Sequence, residues 1–148
     1  MPPFHAPARY FEIGTGDGRS ALLVAANTPA STQLYTLDPG YPSEPIKGSV
    51  FRNRPEAAKI EQLSGSSLSF DFAPYHGQMD LVFVDGSHAL ADVVVDSHTA
   101  FKLAAPGARI LWHDLLYDSC EVIQAIDVAG YAQRVKKIAG SAYGTCTT

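Results

Sequence analysis

Four ionisable residues fall directly behind two apolar runs. Asp85 and His88 follow Asp80-Leu-Val-Phe-Val84, and His113 and Asp114 follow Arg109-Ile-Leu-Trp112. If those runs are neighbouring strands, they lie about 4.8 Å apart and bring the two carboxylates together. Paired carboxylates can hold one divalent cation, and Mg²⁺ takes oxygen ligands of this kind. The histidines titrate near neutral pH, so either can serve as metal ligand or general base. The plainer role for each Asp is to cap the helix that follows it.

A second group precedes these. Tyr10-Phe-Glu-Ile13 is an apolar run that stops at Gly14-Thr15-Gly16-Asp17-Gly18, and Ser20-Ala-Leu-Leu-Val-Ala-Ala26 follows with helical character. A strand that ends in glycines and opens a helix lets a nucleotide or nucleoside press on bare backbone. Asp38 lies 24 residues beyond Gly14, after the run Gln33-Leu-Tyr-Thr-Leu37. An acid at that offset accepts hydrogen bonds from ribose hydroxyls, although Asp38-Pro-Gly40 is also good turn chemistry. Glu12 is a charge inside the first strand. It needs backbone, water or a ligand amine as partner, because an unpaired buried charge is costly.

Strand signals alternate with helix signals to hold these residues. Strands are expected at Arg9–Ile13, Gln33–Leu37, Lys59–Leu63, Asp80–Val84 and Arg109–Trp112. Helices are expected at about 19–27, 90–103 and 119–128, with a short one near 49–53. Residues 105–107 should end the second long helix. Ala132–Ile138 and Ala142–Cys146, joined through Gly140-Ser141, read as an antiparallel hairpin. The fold class is therefore α/β: a Rossmann-like three-layer αβα sandwich, its seven-stranded sheet mostly parallel with a C-terminal antiparallel hairpin. Ligands bind such sheets at the carboxyl edge, where every residue singled out above is expected.

With 148 residues, one domain is the expectation. A formal charge of −4 without a basic stripe argues against nucleic acid. No run approaches the ~20 apolar residues of a membrane span, and Met1-Pro-Pro-Phe-His5 is unlike a signal peptide. Cytoplasmic location follows as the expectation. Cys120 and Cys146 stand in no ligand-like or C-x-x-C spacing, and they read as spectator thiols. His98 falls inside a helix and Trp112 at the end of a buried strand, so both read as packing residues. Tyr75 sits in a loop where it could line a pocket.

Glu12-Ile-Gly-Thr-Gly-Asp-Gly18 resembles the first motif of the class I S-adenosylmethionine-dependent methyltransferases, and Asp38 resembles the acid after their second strand. Phe83-Val-Asp-Gly-Ser-His88, Ala105-Pro-Gly107 and Ile110-Leu-Trp-His-Asp114 are similar to a subgroup related to the catechol and caffeoyl-CoA O-methyltransferases. The resemblance implies that Glu12, Gly14, Thr15 and Gly16 surround the methionine part of the cofactor, that Asp38 holds the ribose, and that Ser66 lies at the adenine, where relatives often carry Asp. It implies that Asp85 contacts cofactor or metal, and that Asp114 is a second metal ligand for Mg²⁺ or another divalent cation. His88, Asp85 and His113 are the implied catalytic set, and the partner is a small-molecule acceptor methylated on oxygen. Relatives usually carry N-terminal helices over the active site, so the expectation is a domain without that lid, with a possible homodimer covering the cleft. A nicotinamide-dependent oxidoreductase is the alternative, although G-x-G-x-G differs from G-x-G-x-x-G. A non-catalytic nucleoside-binding domain is the third reading.

Overall fold

The computed structural model describes residues 6–115 and 120–148. Its centre is a seven-stranded sheet, built from β1 (Arg9–Ile13), β2 (Gln33–Asp38), β3 (Ile60–Ser64), β4 (Met79–Val84), β5 (Ala104–Trp112), β6 (Lys136–Lys137) and β7 (Gly144–Thr147). The spatial order is β3-β2-β1-β4-β5-β7-β6. The first five strands are parallel, and β7 runs antiparallel between β5 and β6. The helices are α1 (Arg19–Ala26), α2 (Leu90–Leu103) and α3 (Cys120–Val128). The expected start of α3 at Ser119 lies outside the described residues.

Alternation along the strands builds two cores. Phe11 and Ile13, Val82 and Val84, and Ile110 and Trp112 point to one face, where they pack with Val93, Ala100 and Leu103 of α2 and Val122, Ala125 and Ile126 of α3. Tyr10, Leu34, Leu81 and Phe83 point to the other, against Ala25 and Val24 of α1. β1 and β4 are nearly all buried because helices cover both faces, and hence read as continuous apolar runs. Trp112 is fully buried and its indole N–H donates to Ser97 Oγ at 3.0 Å. Tyr75 packs in an aromatic cluster, its ring 5.2 Å from that of Phe11 and 5.0 Å from that of Tyr35. His98 is exposed, with Nδ1 2.9 Å from the Tyr131 hydroxyl. Cys146 is a buried free thiol.

Three expectations shift. No helix forms at 49–53; that stretch is a chain of turns, followed by a 3-10 turn at Pro55–Lys59. Pro42 and Pro45 deny the segment regular backbone hydrogen bonds, and it straps itself to the glycine turn instead. Gly48 N–H donates to Gly16 O at 3.1 Å, and Val50 N–H to Asp17 O at 3.2 Å. Residues 105–107 do not end α2; the helix stops at Leu103 and these residues begin β5, with Gly107 at φ 82° beside a register shift in the β4–β5 pairing. The hairpin strands are shorter than expected, because only Lys136–Lys137 pairs with β7.

Candidate active site

The strand order reverses at β1, which has β2 on one side and β4 on the other. Chain segments leaving such a point diverge and open a crevice at the carboxyl edge. Gly14 holds the crevice together. At φ 100°, its N–H donates to Leu37 O at 2.9 Å, and Asp85 N–H donates to Ile13 O at 2.9 Å. A Cβ on Gly14 would lie 2.1 Å from the Asp85 carbonyl oxygen, so only glycine lets the β1 and β4 turns meet.

Two cavities open there. The first, of about 410 Å³, is lined by Gly14, Gly16, Asp38, Ser66, Asp85 and Asp92 among others. The second, of about 480 Å³, has Gly14, Thr15 and Gly16 in common with the glycine turn and adds Asp85, His113 and Tyr143. Both volumes are of the size that holds a small ligand. Asp85, Gly14 and Gly16 line both, so the two cavities adjoin at these residues.

Asp38 is nearly buried and already engaged. Its Oδ1 accepts Gly40 N–H at 2.9 Å, while Oδ2 accepts Gly16 N–H at 3.3 Å and lies 3.3 Å from Lys47 Nζ. Lys47 comes from the proline-rich strap, and nothing in its local sequence marks it for the site. Ser66 lines the first cavity, its Oγ accepting Leu68 N–H at 3.3 Å.

Glu12 lies in the wall of neither cavity. It is fully buried beneath the glycine turn, where Thr36 Oγ1 donates to Oε2 at 2.6 Å, and the Tyr10 hydroxyl donates to Oε1 at 3.2 Å. Ser20 Oγ of α1 also donates to Oε1. With the Thr36 proton so used, the 2.8 Å contact between Thr15 and Thr36 is Thr15 donating. Burial pushes the Glu12 carboxyl up to about 7 against these three hydrogen bonds, and repulsion from Asp85 adds to the rise.

The two acid–histidine pairs do converge. His113 Nδ1 lies 3.1 Å from Asp85 Oδ1 and 3.0 Å from Asp114 Oδ1, and His88 Nε2 lies 2.6 Å from Asp114 Oδ2. Yet His113 Nδ1 is buried and makes no hydrogen bond of acceptable direction to either carboxylate. Ligand atoms of Asp85, His88 and His113 all lie within 4.8 Å of one another. Asp114 contacts both histidines, and it reaches this position with φ 57°, a backbone geometry that Asp tolerates better than most residues. Desolvation raises the Asp85 carboxyl above its ordinary value; His113 and His88 oppose the rise and Asp114 adds to it. Next to them, the His113 and Tyr143 rings are 5.1 Å apart and the Phe83 and Tyr143 rings 6.0 Å apart, so the second cavity has an aromatic side.

Sequence reasoning missed Lys47, Tyr143, Asp92 and Asp96. The two acids did carry a signal, since a four-residue spacing puts both on one face of α2.

The sheet order, glycine turn and strand-end acids define a Rossmann-like fold of the methyltransferase type. The chain belongs to the family described as "Methyltransferase domain", whose profile matches residues 11–115. No curated protein matches it by sequence. Among solved structures it is similar to the O-methyltransferase from Bacillus cereus in complex with SAH, with TM-score 0.73, 14% identity, and coverage of 97% of this chain and 75% of that one. It is also similar to the O-methyltransferase TomG from Streptomyces achromogenes, involved in tomaymycin synthesis and in complex with SAM, with TM-score 0.70, 20% identity, and coverage of 97% and 74%. No helix among the described residues is long and apolar enough to cross a membrane.

Proposed function

We propose that the chain transfers the methyl group of S-adenosylmethionine to a hydroxyl oxygen of a small-molecule acceptor, with the nucleoside in the first cavity and the acceptor reaching Asp85 and His113 from the second. The observation that carries this is the shared lining: Asp85, Gly14 and Gly16 line both cavities, so the two adjoin at these residues, where an acceptor oxygen can meet the sulfonium methyl directly. The bound neighbours from Bacillus cereus and Streptomyces achromogenes support the choice of cofactor.

The residues fit this cofactor. The close approach at Gly14 keeps the turn bare for the methionine end, and Asp38 offers acceptor oxygens to a ribose diol. The sulfonium supplies an already activated methyl group, so the protein's task is alignment and removal of the acceptor's proton. His113, flanked by Asp85 and Asp114, and His88, oriented by Asp114, are the bases placed to take that proton. Glu12 positions the turn from below, through Thr36 and Thr15 on one side and Ser20 on the other.

A divalent cation also fits here, because the buried Nδ1 of His113 lacks a hydrogen bond and sits between carboxylates. Asp85, His88 and His113 would hold it, with Asp114 alongside, and it would act as a Lewis acid that lowers the pKa of an acceptor hydroxyl.

Calorimetric titration with S-adenosylhomocysteine and with NAD tests the reading. Binding of the first alone is expected, and binding of NAD alone overturns it. Asp85→Ala should then abolish methyl transfer to a responsive acceptor while the nucleoside still binds. Full turnover by that variant would remove Asp85 from the chemistry.

A further inference from the structure

The two faces of the sheet are covered differently. On one, α2 and α3 pack over β4 and β5. On the other, α1 contributes Val24 and Ala25 to a core with Leu81 and Phe83 of β4. A third cavity, of about 600 Å³, opens on this face between α1 and β4. Pro7, Leu23, Val24, Asn27, Thr28 and Leu81 line it, and none of the described residues in its lining is charged. The Thr28 hydroxyl and the Asn27 side-chain N–H turn back on the helix, donating to Val24 O and Leu23 O at 2.8 Å.

This cavity continues the second one, because Leu23 lines both. The floor is continuous too. Phe83 lines the second and Leu81 the third, and the two side chains share one face of β4, about 7 Å apart along the strand. On the helix side, Ser20 lines the second, Leu23 both and Asn27 the third. Steps of three and four residues keep these on one face of α1, over a rise of about 10 Å. Leu23 is 66% exposed. A lone surface leucine needs no explanation. One at the seam of two cavities, above an apolar floor, is placed to meet a ligand. Charge is confined to the second cavity, where Asp85 and His113 stand and where Asp17 and Arg19 pair with each other at 3.1 Å. The trough is thus graded, ionisable at one end and apolar at the other.

We propose that the acceptor is an amphiphile whose hydroxyl enters the second cavity and whose apolar tail runs along α1, past Leu23, into the third. Leu23 sets the specificity for the tail. The inference rests on the acceptor reading of the second cavity and adds the class of molecule that fills it. Each methylene taken out of water strengthens binding by up to about fourfold, so tail length is read as affinity. A small polar acceptor would use the second cavity alone and gain nothing from the third. A separate protein partner fits less well, because its site has no need to open onto the reacting carboxylate.

Titration calorimetry of the S-adenosylhomocysteine complex with 4-methylphenol, 4-propylphenol and 4-hexylphenol tests this. Wild type should bind the hexyl compound about tenfold or more tightly than the methyl one. Leu23→Asp, at an exposed position that accepts a polar side chain, should cut that preference to about twofold or less, while its melting temperature and its affinity for S-adenosylhomocysteine hold. Asn27→Trp, which fills the far end, should weaken 4-hexylphenol several-fold more than 4-methylphenol, a dependence on length that general destabilisation does not produce. If S-adenosylhomocysteine binds but wild type binds the three phenols within about twofold of one another, or not at all, the inference fails alone. A preference that survives Leu23→Asp also overturns it. If wild type sediments as a dimer and Leu23→Asp as a monomer, a second copy occupies the trough and the inference fails. If S-adenosylhomocysteine does not bind, the methyl-transfer reading fails and takes the inference with it.

Discussion

The two rims of the sheet are made of the same strands and are finished in opposite ways. At the rim where the parallel strands begin, polar groups close on one another. Asp80 Oδ2 accepts both Ala8 N–H and Arg9 N–H at 2.9 Å, Gln33 N–H donates to Ala8 O at 2.9 Å, and Gln78 N–H to Leu103 O at 3.0 Å. At the rim where they end, Gly14 and Asp114 take left-handed backbone angles, His113 Nδ1 has no hydrogen bond, and Asp96 is buried without one. One rim is finished for stability. The other leaves capacity open, which is where a ligand can supply what the chain does not.

The sharpest way to break this contrast is Gly14→Ala. The added methyl meets backbone at 2.1 Å and needs φ near 100°. A loss of about 4 kcal/mol in denaturant unfolding is expected from the steric and backbone terms together, along with loss of nucleoside binding. A variant within about 1 kcal/mol of wild type, little more than an ordinary surface change costs, would show that the turns need not touch.

The next effect is one of pH. Glu12 is raised from 4.5 to about 7 in the folded chain, so between those values the native state binds more protons than the unfolded state. Stability contributed by the protonated form is present below pH 4.5 and is lost as pH rises through 7. The size is up to about 3 kcal/mol. Asp96, raised to about 6, adds a change of the same sign over a lower window. Unfolding curves at stepped pH should show the decline, and Glu12→Gln should flatten its upper part. An unchanged slope in that variant would put the titration elsewhere.

His88→Ala comes third. Its side chain is 58% exposed, so stability should hold while turnover falls about 100-fold, the lower end for a general base or its equivalent. Steady-state kinetics beside a thermal melt separates the two, and a lost fold with intact specific activity would reverse the assignment. The smallest effect belongs to the closed rim. Asp80→Ala should cost about 1–2 kcal/mol and leave S-adenosylhomocysteine affinity alone. A weaker affinity there would dissolve the distinction between the rims.

Much of the architecture was legible in the sequence because burial on both faces writes itself as apolar runs. β1 and α2 have the ends expected from the sequence, Arg9–Ile13 and Leu90–Leu103. The convergence of His113 with both strand-end acids was legible because it follows from βα topology, which puts all such ends on one edge. What was not legible depended on distant partners. Ala105-Pro-Gly107 has turn chemistry, yet pairing of Ala104 with Met79 draws the segment into β5. Glu12 could be recognised as a charge in need of partners. That these are Thr36, Ser20 and Tyr10, rather than a ligand, depends on α1 and β2 closing over it. Lys47 had no signature at all, because an irregular loop has no period from which to read direction.

The strap between β2 and β3 spends the carbonyls of Gly16 and Asp17 on its own amides, and Phe51 fills the space a side chain on Gly18 would need. The connection and the glycine turn are thus a single fitted part, although some 30 residues separate them in sequence. Grafting either one from a relative without the other should yield a chimera that misplaces its cofactor, so recombination within this fold has to exchange them as a pair.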